Sequence, residues 1–166
     1  MPICYDGFEP NDRMHIGQCL LRAMTVNRLT KAGCVFIFWI GDWFAQINNK
    51  MGGDIEKIQV VGRYFIEMWR ATGMDLKNVK FVWCGDEINK HSNEYWQSVI
   101  NVSRSYNIER IKRCCPVLGR KEGDSIPASQ IIYPCMQNTD IFFLKSDIIS
   151  HRMDQRKVNM LGREYC

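Results

Sequence analysis

Residues 34–40, Cys-Val-Phe-Ile-Phe-Trp-Ile, form an unbroken apolar run rich in β-branched and aromatic side chains. No polar residue alternates into it, so neither face of the strand it predicts is left to water. Such strands lie inside parallel sheets that helices cover on both sides. Helical periods flank the run as that picture demands. Before it, residues 2–5 read as a short strand ending in a glycine turn at Gly7, and a helix begins near His15 with Ile16, Leu20, Ala23 and Met24 as its buried stripe and Gly33 as its stop. After it, Asp54 follows Gly52-Gly53 as a good N-cap, and Ile58, Val61, Phe65, Met68 and Trp69 recur at helical spacing up to Gly73. Residues 79–84 are a third strand. The β-α-β-α-β alternation predicts an α/β, Rossmann-like parallel sheet with right-handed crossovers.

From Asn93 the texture changes to a helical insertion. One helix carries Tyr95, Trp96, Val99 and Ile100; a short basic helix over 108–115 is stopped by Pro116, and a polar segment follows at 119–124. Pro127 opens the next helix, through Ile131, Tyr133 and Gln137, with Pro134 inside it at the cost of an N–H. Residues 141–144 read as a fourth strand, and 154–164 as a last helix with Asp154 at its N-terminus.

A chain of 166 residues that is 46% hydrophobic and 11% aromatic can bury one sizeable core. None of its apolar runs approaches the roughly 20 residues that cross a bilayer. Met1 leads at once into a strand, without the marks of a signal or transit peptide, so a cytoplasmic location is the expectation. The eight cysteines sit mostly in apolar runs, with no Cys-x-x-Cys pair and no ligand-spaced histidines. Reduced thiols are expected, and no protein-held metal. The net charge of +4 is too mild to call for DNA. Arg104, Arg110, Lys112, Arg113, Arg120 and Lys121 nevertheless crowd one segment, as a phosphate-neutralising patch or a solvated helix face.

Two stretches point to chemistry. Residues 5–18 combine a strand end, glycines and a helix start bearing His15, which suits a phosphate chain, because the first N–H groups of a helix lack intrahelical partners and lie at the positive end of its dipole. Asp42 closes the 34–40 strand at the edge where open α/β sheets hold ligands; it is a candidate site residue or an acid capping backbone N–H groups.

Asp6-Gly7-Phe8-Glu9-Pro10 with His15-Ile16-Gly17-Gln18, Asp42-Trp43-Phe44-Ala45, residues 130–137 (Gln-Ile-Ile-Tyr-Pro-Cys-Met-Gln) and residues 154–161 (Asp-Gln-Arg-Lys-Val-Asn-Met-Leu) occur in this order. Together these blocks resemble the catalytic domain of the tyrosyl-tRNA synthetases, class I enzymes, of the eukaryotic cytosolic, plant-like type. The resemblance runs along essentially the whole chain. It implies a HUP-type nucleotidylyl transferase sheet, divided into a first Rossmann half at 1–92, a helical insertion at 93–125 and the start of a second half at 126–166. The chain is expected to be truncated before the last strand, since the family's Lys-Met-Ser-Lys-Ser loop and anticodon-binding domain do not occur in it.

The implied chemistry has two steps: tyrosine and ATP form tyrosyl-adenylate, and the tyrosyl group passes to the terminal adenosine of tRNA(Tyr). His15 and Gln18 are the implied catalytic residues, with Gln18 standing where many relatives have a second histidine. Gly7, Glu9, His15, Gly17, Gln18 and Asp154 are the implied ATP-binding set, Asp154 at the ribose. Tyr5 and Asp140 are assigned to the tyrosine hydroxyl, Tyr133 and Gln137 to its ammonium group, and Gln155 to the substrate carbonyl. ATP is expected with a Mg2+ that no protein side chain coordinates, and a homodimer is implied. Two positions depart from the pattern: Asn11-Asp12 replaces the usual Ser-Gly or Thr-Gly, bringing an acid near the phosphates, and Arg152 replaces a glycine near the adenosine. The alternative reading is a truncated, non-catalytic paralogue that binds tyrosine, RNA or a synthetase subunit.

Overall fold

The computed structural model describes residues 1–115, 125–151 and 153–166, the side chain of Asp154 excepted. Pro116, the segment 119–124 with Arg120 and Lys121, and Arg152 lie outside the described residues. The chain forms two compact units, Met1–Glu87 with Ser146–Ser150, and Ile88–Lys145 with His151–Cys166. These units are grouped in space, so their limits do not follow a division along the chain at 92 and 125.

The first unit holds a four-stranded parallel sheet of β1 (Ile3–Phe8), β2 (Val35–Ile40), β3 (Val79–Trp83) and β4 (Ile148–Ile149), in the order β3-β2-β1-β4. The unbroken apolar run becomes β2, an inner strand whose Phe36, Phe38, Trp39 and Ile40 are buried. Two expectations are corrected. β1 continues through Gly7 to Phe8, so Gly7 is a strand residue opposite Trp39 and not a turn. Residues 141–144 are not a strand: Ile141, Phe142 and Phe143 end a long helix, and the fourth strand is Ile148–Ile149. A short apolar run has no period of its own to separate the two states.

Helices α1 (Ile16–Lys31), α2 (Asp42–Ile47) and α3 (Ile55–Ala71) belong to this unit, and α4 (Cys84–Lys90) begins in it. Neither α2 nor α4 was foreseen. α1 starts where predicted and buries Ala23 of the expected stripe, but otherwise presents another face: Cys19, Val26 and Thr30 are buried, while Ile16, Leu20 and Met24 are about half exposed or more. The decisive residue is Arg22, whose Nη1 lies 2.7 Å from Asp6 Oδ2 on β1, with the guanidinium over the rings of Phe8 (5.7 Å) and Trp69 (5.9 Å). A buried acid must be paired, and the pairing rolls the helix. Beneath it Phe38 stacks on Trp69 (4.5 Å) and Phe81 (5.3 Å), an apolar slab between α3 and the sheet. α3 follows the predicted pattern. Asp54 caps it by accepting from the Lys57 N–H, and Gly62 lets it lie against Trp83, since a Cβ there would sit 2.6 Å from Cη2 of that ring.

The second unit is helical: α5 (Ser92–Arg104), α6 (Ile108–Lys112), α7 (Ala128–Phe143) and α8 (Arg156–Tyr165), the last preceded by a 3-10 turn at Met153–Gln155. Every residue of α7 from Tyr133 to Asp140 is buried. Pro134 cannot donate to the carbonyl of Gln130 one turn earlier. The thiol of Cys115 donates to that carbonyl instead, at 3.6 Å, and burial pushes the thiol upward, which keeps its proton in place. α6 and α8 are joined by a two-pronged ion pair, Arg110 Nε and Nη2 to the Glu164 oxygens at 2.9 and 2.8 Å, and the hydroxyl of Tyr106, just before α6, donates to the Leu161 carbonyl at 2.6 Å.

Replacing Arg22→Ala removes the ion pair of the buried Asp6 carboxylate, and urea denaturation should show a loss of about 3 kcal/mol. The Arg110 guanidinium holds Glu164 below its ordinary value of 4.5. A carboxyl lowered in the folded state stabilises it above the unfolded value, and that contribution disappears as the pH falls through the folded one. The melting-temperature gap between Glu164→Gln and the unsubstituted protein should therefore be open at neutral pH and close below pH 4.5.

Candidate functional site

In the first unit the stretch expected to hold phosphates lies at the start of α1. His15 is the N-cap, in extended conformation (φ −71°, ψ 135°), and its Nδ1 accepts from the Gly17 N–H at 3.2 Å. With Nδ1 accepting, the proton of the neutral ring resides on Nε2. The side chain is exposed, so this N–H faces outward as a donor. Gly17 gives the ring room, since a Cβ there would come 3.2 Å from Nδ1 and the imidazole would have to give by a few tenths of an ångström. Gln18 is half-buried on the same turn. Glu9 is tied down from outside the cradle, its Oε1 accepting from Asn48 Nδ2 at 2.7 Å. Tyr5 lies wholly inside the sheet, paired with Ile37 on one side and Ile149 on the other.

Asp42 takes the capping alternative. Its Oδ1 accepts from the N–H groups of Trp43 and Gly85, both at 3.0 Å, and Oδ2 from Gln59 Nε2 at 3.2 Å. The buried acid knots α2, α3 and α4 together at the end of β2, with three of its roughly four lone-pair sites engaged within the fold.

In the second unit Tyr133, Gln137 and Asp140 fall four and three residues apart on one face of α7, all buried. Gln137 Nε2 donates to Gln155 Oε1 at 2.8 Å, bringing two of the predicted tyrosine-binding residues together. Gln137 Oε1 is buried and has no partner among the described residues. Asp140 Oδ1 accepts from the hydroxyl of Tyr95 on α5 at 2.7 Å. Sequence reasoning missed this partner: Tyr95 reads there only as part of an apolar stripe. The side chain of Asp154, assigned to the ribose, lies outside the described residues; its backbone is in the 3-10 turn before α8.

A family model described as class I tRNA synthetases (W and Y) matches residues 1–166. The chain is 56% identical over 165 residues to tyrosine–tRNA ligase 1, cytoplasmic, of Arabidopsis thaliana, covering 99% of this chain and 43% of that relative. It is 40% identical to the tyrosine–tRNA ligase of Picrophilus torridus, covering 98% of this chain and 49% of the relative. The structure of Leishmania major tyrosyl-tRNA synthetase in complex with tyrosinol superposes with a TM-score of 0.95 at 54% identity, over 100% of this chain and 24% of that one.

This chain belongs to the class I tyrosyl-tRNA synthetases. Its matches extend across eukaryotic and archaeal members of that family, and it spans less than half the length of the relatives named here. The α/β architecture with its parallel sheet is that of the synthetase catalytic fold. The Arabidopsis synthetase is named cytoplasmic, and among the described residues no helix is long and apolar enough to cross a membrane.

The departure at Asn11-Asp12 has a structural consequence. Asp12 sits at φ 41°, in the left-handed region that a glycine enters without cost and a side-chain-bearing residue does not. Asp12→Gly is expected to stabilise the chain by about 1 kcal/mol and, by removing a negative charge near the cradle, to tighten ATP binding in calorimetry, more so at low salt.

Proposed function

We propose that this chain performs the tyrosine-activating step of a tyrosine–tRNA ligase. A carboxylate oxygen of tyrosine bonds to the α-phosphorus of ATP while the bond to the bridging oxygen of the β-phosphate breaks, and pyrophosphate leaves with the added charge. No protein nucleophile is required; the work is positioning and charge stabilisation. The observation that carries the reading is the orphaned Gln137 Oε1 on α7. It is a buried acceptor in need of a donor, as a substrate ammonium group would supply, and Tyr133 lies one turn away on the same face. Gln155, having used Oε1 to accept from Gln137, keeps its NH2 group to donate to a carbonyl oxygen. Asp140 is the acceptor for the tyrosine hydroxyl, a role that Tyr5 shares in the family pattern. A buried carboxylate left without that hydroxyl is the physical basis for rejecting phenylalanine; tyrosine against phenylalanine is the standard example of this rule.

On the ATP side, the outward Nε2–H of His15, at the positive end of the α1 dipole, donates to the phosphates as charge moves onto pyrophosphate. Gly7, Glu9, Gln18 and Asp154 complete the ATP-binding set. Mg2+ enters on the ATP phosphates as part of the substrate. The bound tyrosinol in the Leishmania relative supports the choice of amino acid. tRNA(Tyr) as acceptor, a homodimer and a cytoplasmic location follow from the same family reading.

Tyrosine-dependent exchange of labelled pyrophosphate into ATP is the test. His15→Asn separates capping from catalysis, because the asparagine oxygen still reaches the Gly17 N–H while nothing remains at the position of Nε2. It should fold normally and lose roughly 100-fold in exchange rate. An unsubstituted chain that binds tyrosine but exchanges no faster than His15→Ala would instead be a non-catalytic tyrosine-binding module.

A further inference from the structure

Asn138 is wholly buried on α7, and neither its Oδ1 nor its Nδ2 has a hydrogen-bond partner among the described residues. An amide enclosed in this way is costly, so hydrogen bonding does not account for its place there. What it has is a close neighbour. Gly162 of α8 lies against it, and a Cβ on that glycine would stand 2.9 Å from Asn138 Oδ1 and 3.3 Å from Ile141 Cδ1. Asn138 and Ile141 are three residues apart and share a face of α7, so bare backbone of α8 rests on the ends of both. The glycine has a cost of its own, since it weakens a helix interior relative to alanine. Two local penalties therefore meet at one contact, and the result is a close approach of the two helices. The same helices meet again at the predicted tyrosine site. Gln137 precedes Asn138, and its Nε2 donates at 2.8 Å to Oε1 of Gln155, the N-cap of α8. With ten residues α8 is short, so a displacement at Gly162 reaches the Gln155 end.

We propose that Asn138 and Gly162 are a matched pair of positioning residues: the amide sets the depth at which α8 seats on α7, the glycine leaves it room, and together they hold Gln155 where it bonds Gln137. The pair acts on the tyrosine site proposed above, and its role rests on that reading. A methyl group at 162 lifts α8 away from α7, and truncation at 138 lets it sink. Either change displaces Gln155 from Gln137. Gln137 Oε1 then loses its fixed aim at the ammonium group, and Gln155 its approach to the carbonyl oxygen. Alanine at both positions brings the spacing back, because the new methyl group takes up room that the amide vacates.

The test is calorimetric binding of tyrosine to the full chain, to Gly162→Ala, to Asn138→Ala, to the two combined, and to Gln155→Ala with and without Gly162→Ala. Gly162→Ala is expected to weaken tyrosine about tenfold, as loss of one hydrogen bond would, and Asn138→Ala severalfold. The Asn138→Ala/Gly162→Ala chain is expected to return to within about twofold of the unsubstituted one, which is the signature of two residues in contact. In a chain already carrying Gln155→Ala, Gly162→Ala is expected to add no further loss. A merely structural role would cost the same with or without the Gln155 side chain, and that result, or a failed rescue in the combined variant, overturns the inference. If Gln155→Ala weakens tyrosine and Gly162→Ala does not, the tyrosine-site reading survives and the role of the pair falls. If the unsubstituted chain binds no tyrosine, or Gln155→Ala binds it undiminished, both fall together. Circular dichroism reports whether Gly162→Ala folds. Should it not, Asn138→Ala carries the test, and an unchanged tyrosine affinity there refutes the proposal.

Discussion

The ion pair between Asp6 and Arg22 is the contact on which the first unit depends. Side chains alternate along β1, so Tyr5 and Asp6 face opposite sides of the sheet. Asp6 therefore emerges beneath α1, among Phe8, Phe38 and Trp69, where an unpaired carboxylate would be intolerable. Arg22 answers it from the second turn of α1 and spreads its planar cation over two of the rings. One pairing thus sets both the roll of the helix and its distance from the strand. The N-terminus of α1, with His15 and the Gly17 N–H, is held at the C-terminal end of β1, the edge at which open α/β sheets receive their ligands.

The second unit solves a different problem, that of a helix buried on all sides and still polar. Gln130, Gln137, Asn138, Thr139 and Asp140 lie in the buried part of α7 alongside Pro134. Most of these liabilities are met locally. Cys115 donates to the carbonyl that Pro134 leaves open, Thr139 donates back to Cys135, Tyr95 serves Asp140 and Gln155 serves one end of Gln137. The remaining end of Gln137 and both amide atoms of Asn138 are unmet among the described residues. Buried polar groups are expensive, and α7 concentrates them on the face of Tyr133, Gln137 and Asp140.

Where a sequence signal was strong and local, the structure follows it. The apolar run of β2, the Asp54 cap and stripe of α3, and the histidine opening α1 all depend on nearest neighbours and on burial that any parallel sheet would impose. The failures share one cause, which is that a partner distant in sequence outweighed local preference. Ile16, Leu20 and Met24 are more apolar than Cys19 and Val26, yet Arg22 turns the latter inward together with Ala23, the one residue of the expected stripe that is buried. Gly7 invites a turn, but pairing with Trp39 keeps β1 extended through it. Residues 141–143 favour a strand by composition, and the helix already running from Ala128 carries them along.

The candidate site divides in the same way. Its residue types and the order of its motifs are written in the chain, because a phosphate cradle and an amino-acid pocket each need particular donors and acceptors at short spacing. Which oxygen of Asp140 is engaged, which amide atom of Gln137 is left over, and whether Asp42 binds a ligand or ties three helices together depend on partners 17 to 45 residues away. The sequence by itself determined the parallel sheet, the family and the cast of polar residues, since these follow from patterning and short motifs. Only the tertiary structure decided how each polar group is spent, because a hydrogen bond depends on where its partner lies in space, and separation along the chain does not predict that.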